Sequence, residues 1–118
     1  MLDIHLADPQ IERFIREVVN DFTKLDIVLF FSRNRGHEAS IDEIARYTGR
    51  SGADIEKALA FLEDSGLIVT AREMEKLYGL SGDASIRARV EDLLRLYDNI
   101  TERLKIISIL IQTSEFSQ

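Results

Sequence analysis

The side chains in this chain best suited to acid–base or metal chemistry are carboxylates and two histidines; cysteine is absent. Carboxylates stand side by side at Asp42-Glu43, Glu63-Asp64 and Glu91-Asp92. Acid–base catalysis needs two carboxyls facing one substrate, whereas helix neighbours point roughly 100° apart. These pairs therefore read as helix caps and solvated faces. His5 and His37 are isolated in sequence, with no spacing that supplies a metal with several ligands. No Gly-rich phosphate loop and no nucleophile–base arrangement is present. The expectation is a protein without enzymatic activity, metal or cofactor.

Charge and length narrow the partners. The chain has 118 residues and a formal net charge of −6, enough for one domain, 1–118, with a single core. Residues 38–80 hold nine acidic and five basic side chains, whereas 1–37 and 81–118 hold six and five each. An acidic protein has little general affinity for polyanions, because that affinity depends on cations displacing counterions from phosphates. Asp3, His5 and Asp8 interrupt the N-terminus, so no signal peptide is expected. The longest apolar run, 27–31, is far too short to span a bilayer. A cytoplasmic location without membrane contact follows as the expectation.

The elements that must position any functional side chain are punctuated by caps and glycines. Pro9 follows Asp8 and opens a helical pattern through Ile11, Ile15, Val18, Phe22, Leu25 and Leu29. Asn20, Asp21 and Thr23 leave two readings open: one long helix, or a break near Asn20 with a second helix capped by Thr23. The stretch 25–31 is apolar almost all round and has to be buried. Arg33, Arg35 and Gly36 form a basic exit. Residues 37–40 read as a short extended link that pairs with a hairpin.

Ser40 with Glu43, and Ser51 with Asp54, form two capping boxes eleven residues apart. They predict one helix over 41–48, burying Ile41, Ile44, Ala45 and Tyr47. A second follows over 52–65, burying Ile55, Ala58, Leu59 and Leu62, with Phe61 turned toward the core. Gly49 and Gly66 close them. Strands are predicted over 67–71 and 77–80, joined by the charged tip Arg72-Glu73-Met74-Glu75-Lys76. A long helix is predicted from Asp83 to about Thr113. Its apolar residues Ile86, Val90, Leu93, Tyr97, Ile100, Leu104, Ile107 and Ile111 keep strict 4-3 spacing. At 1.5 Å per residue such a helix is roughly 45 Å long, more than this domain covers by itself. The expected cover is a second copy, with Val90, Leu93, Tyr97, Ile100, Leu104, Ile107 and Ile111 at the dimer interface.

The stretch GRSGADIEKALAFLEDSGLI resembles the recognition-helix region of winged-helix transcriptional regulators, broadly the MarR-type and PadR-type families. LDIVLFFSRNRG followed by SIDEIARYTG is similar to the helices that precede it, so the resemblance covers about residues 22–80. It implies a mainly α fold with a small β-hairpin: an N-terminal helix or helices (1–36), a helix-turn-helix with its wing (37–80) and a long C-terminal dimerisation helix (81–118). The positions matching the groove-facing face are Ser51, Ala53, Asp54, Glu56, Lys57, Ala60 and Phe61. The implied function is DNA-binding regulation by a homodimer. Arg50, Ser51 and Lys57 would meet the duplex from the helix, and Arg72 and Lys76 from the wing. Asp54, Glu56, Glu73 and Glu75 have the opposite sign. They support an alternative, a winged-helix module that docks on a protein through its acidic helix face.

Overall fold

The computed structural model describes residues 3–34 and 36–116. Among these residues six helices and one two-stranded antiparallel hairpin follow one another as α1 (Pro9–Glu17), α2 (Phe22–Arg33), α3 (Ile41–Thr48), α4 (Gly52–Asp64), β1 (Ile68–Arg72), β2 (Leu77–Leu80), α5 (Ala84–Asp98) and α6 (Ile100–Phe116). The Asp8 carboxylate caps α1 by accepting from the Gln10 and Ile11 amides, with Pro9 at the first helical position. The N-terminal pattern is broken, and the cap of the second helix is Asp21, not Thr23. Its carboxylate accepts from the Lys24 amide at 2.8 Å.

Helix α2 is the centre of the molecule. Leu25 and the run from Ile27 to Phe31 are buried, and α2 packs on α3, α4, α5 and β2. The capping box of α3 is complete in both directions. That of α4 is half formed: Ser51 Oγ accepts from the Asp54 amide at 3.1 Å, and the Asp54 carboxylate makes no return bond. Gly49 and Gly66 take φ of 73° and 83°, the left-handed region that ends a helix at little cost in glycine. Ala39 pairs with Tyr78 through bonds of 2.9 and 2.8 Å, so the expected extended link joins the hairpin.

Two side chains lie elsewhere than the sequence predicts. Tyr47 is 59% exposed, its ring edge-on to Phe30 at 4.8 Å. Phe61 is 39% exposed, with the Lys24 ammonium 3.9 Å from its ring centroid. A cation over the ring face satisfies it at the surface.

The largest correction concerns the C-terminal helix, which is two helices. Asn99 is extended (φ −84°, ψ 122°), and its side-chain oxygen accepts from the Glu102 amide at 3.1 Å. Arg103 Nε donates to the Tyr97 carbonyl at 2.7 Å, satisfying an end that α5 would otherwise leave open. Side-chain capping by Asn competes with helix continuation and prevails here. The break also changes which residues are buried. Val90 and Leu93, expected at a dimer interface, lie in this chain's own core, with Tyr97 partly buried beside it. On α6 the core takes Ile106, Ile109 and Leu110. Ile100, Leu104 and Ile111 are 69%, 60% and 47% exposed, and Ile107 is half-buried.

Candidate nucleic-acid interface

The residues implied as DNA contacts sit on α4, on the turn before it and on the hairpin tip. Helix α4 packs on α2, α3 and β1 through Ile55, Ala58, Leu59 and Leu62. Ala53, Asp54, Glu56, Lys57, Ala60, Phe61 and Asp64 are left outward. Ser51 is exposed, and its hydroxyl already holds the first turn of α4. Lys57 is exposed six residues further on, about 9 Å along the axis, with no ion pair among the described residues.

Two of the four implied cations are neutralised in cis. Arg50 Nε donates to Asp26 at 2.9 Å, tying the turn before α4 to α2. Arg72 Nε donates to Glu38 at 2.9 Å, tying the hairpin to the extended link. Such surface pairs are worth about 0–1 kcal/mol, so a phosphate could displace either carboxylate. The carboxylate would stay nearby, however, and each pair brings no net positive charge. Lys76 adopts φ of 54°, at the end of the tip, and makes no ion pair among the described residues. Of the further basic side chains, Arg46 is exposed on α3, Arg33 lies 4.0 Å from Asp98, and Arg35 lies outside the described residues.

Lys24 is a cation that the sequence reading missed. It is anchored by Asn20 at 2.7 Å and Asp21 at 3.2 Å, and it reaches α4 over Phe61. Its position in the first turn of α2 was visible in the sequence; its neighbour across 37 positions was not.

The far half of α4 is electronegative. Glu63 accepts from the Thr70 hydroxyl at 2.6 Å, and the Tyr78 phenol is pushed up by burial and by the charges of Glu63 and Glu56. A phenol resists ionising where negative charge already gathers. The α4 face therefore runs from a capped, polar N-terminus past Lys57 to an acidic end.

On the other side of the hairpin a cavity of about 400 Å³ opens between α2, the strands and α5. Phe31, Val69, Leu80 and Leu94 line it, with Arg87 and Glu91 also at its wall. Among the described residues no three His, Asp or Glu side chains are placed to share a metal ion, and no helix is long and apolar enough to cross a membrane.

No known family, curated protein or solved structure matches the chain.

Proposed function

We propose that this chain is a DNA-binding regulator of the winged-helix type that acts as a homodimer. The observation that carries the reading is the exposed face of α4, with Ser51 at its N-terminus and Lys57 along it without an ion pair among the described residues, beside a hairpin whose tip bears Lys76. The amide end of α4 adds a partial positive charge where a phosphate would lie. Ser51 and Lys57 supply the donors, and Arg72 becomes available when a phosphate takes the place of Glu38. Reading heads on two copies double each contribution. The dimer surface is the apolar stripe Ile100, Leu104, Ile107 and Ile111, whose 4-3-4 spacing puts it on one face of α6. A pool of random duplex DNA is the test. The protein retains it at low salt, and Lys57→Glu abolishes retention without changing the melting temperature. Equal retention by the variant would contradict the reading.

A second reading draws on the charge of α4. Asp54, Glu56 and Asp64 are exposed beside a single lysine, and Glu63 lies at their edge. A basic protein surface would complement that charge. On this reading Asp54→Lys with Glu56→Lys releases a protein partner that Lys57→Glu leaves bound.

A further inference from the structure

The stripe on α6 is small for the dimer just proposed. Four aliphatic side chains cover roughly 400 Å² at about 100 Å² each, half of the ~800 Å² per partner that a stable interface buries. A larger surface is held in cis. Helix α6 packs on α1 and α5, burying Ile106, Ile109 and Leu110, and the Ala7 amide donates to Glu102 at 3.3 Å.

The joint between α5 and α6 is one residue, Asn99, in the sequence Tyr97-Asp98-Asn99-Ile100-Thr101. It contains neither glycine nor proline, so no backbone constraint forbids one continuous helix. The apolar 4-3 spacing runs through the joint without a phase change, from Ile86 to Ile111. A continuous helix over 84–116 would be about 50 Å long. Straightening at Asn99 would carry α6 away from the α1 and α5 surfaces on which it packs. Ile106, Ile109 and Leu110 then need a second chain.

Resting on the dimer reading above, we propose that the dimer is domain-swapped at Asn99. In it α5 and α6 join, and α6 of each chain occupies the α1–α5 surface of the other. The partner is a second copy because that surface is already shaped for this α6. The cis contacts are remade between chains, and a new interface forms at the two joints. Ile100 and Leu104, the stripe residues nearest the joint, are covered there. Exchange of an element through a short hinge is a low-cost route to a dimer.

The chain has no native cysteine, so Arg89→Cys with Ser114→Cys places two spin labels without competing thiols. Labelled chains are diluted into unlabelled protein, so that only distances within one chain are read. A swapped dimer gives about 38 Å, the length of 25 helical residues. A dimer with distances well below 30 Å overturns the swap and leaves the dimer standing. A wild-type chain of monomer mass by light scattering overturns both. Ile100→Pro is the second arm. Proline suits the first position of α6, and Asn99 already has the extended backbone favoured before proline, whereas a continuous helix does not tolerate it. Ile100→Pro shifts the protein to monomer, while Ile100→Ala stays mainly dimeric. A fully dimeric Ile100→Pro, or equal dissociation of the two variants, contradicts the swap.

Discussion

Arg50 and Lys57 lie within two turns of each other, and their neighbours decide which of them can meet a phosphate. Arg50 is held by Asp26 from a helix 24 positions earlier, whereas Lys57 has no such partner among the described residues. Arg50→Ala should therefore weaken duplex binding by no more than about fivefold, the equivalent of a surface pair. Asp26→Asn should strengthen it by freeing the guanidinium, and a titration of both variants against one duplex checks the order. Neither pair was legible in the sequence, because Arg50–Asp26 and Arg72–Glu38 span 24 and 34 positions.

Glu12 shows a second residue-scale dependence. Its burial alone would raise its pKa. The Leu6 amide at 2.8 Å, then His5 and Arg16, more than offset this and hold it below its ordinary value. The unfolded chain thus binds the proton more readily. The contribution of Glu12 is complete above the ordinary carboxylate pKa and is lost as pH falls through the lowered one. Acidification should release the segment before Asp8 from α1. Hydrogen exchange at the Leu6 amide should accelerate on acidification relative to core amides, and Glu12→Gln should remove that difference.

At the scale of elements, most of what was readable acts over a short range, the pairing of the 37–40 link with the hairpin being the exception. The boundaries of α3 and α4 follow from Ser40, Gly49, Ser51 and Gly66, all of which act within one helical turn. Ser40→Ala should remove the cap of α3 and cost about 1 kcal/mol, seen as a Tm lower by roughly 4 °C. An unchanged Tm would mean that packing alone holds α3. The break at Asn99 was hidden by an apolar stripe that continues through it. The local signal was present as Asn99 three residues before Glu102, the same spacing as Ser40 and Glu43. Two patterns, one of seven residues and one of three, gave different answers, and the cap prevailed in the folded chain. Tyr47 and Phe61 were misplaced for a related reason. Periodicity assigns an aromatic ring to a face but does not foresee Phe30 packing against Tyr47 or Lys24 lying over Phe61.

For the whole molecule, the net charge of −6 and the exposed cations Lys57 and Lys76 pull in opposite directions. Long-range repulsion from a duplex is screened beyond about 8–10 Å at ordinary salt, so local cations at the contact determine the outcome. A homodimer brings both lysines twice, and light scattering at micromolar concentration should give twice the monomer mass of 13.5 kDa. Ile100→Asp with Leu104→Asp should reduce that to one chain. The most direct measurement is the affinity for duplex DNA across a series of salt concentrations. The two lysines of each protomer predict a log–log slope of about −4, since each neutralised phosphate contributes about −0.9. A flat dependence, or no duplex retained even at the lowest salt, would contradict DNA binding by this face.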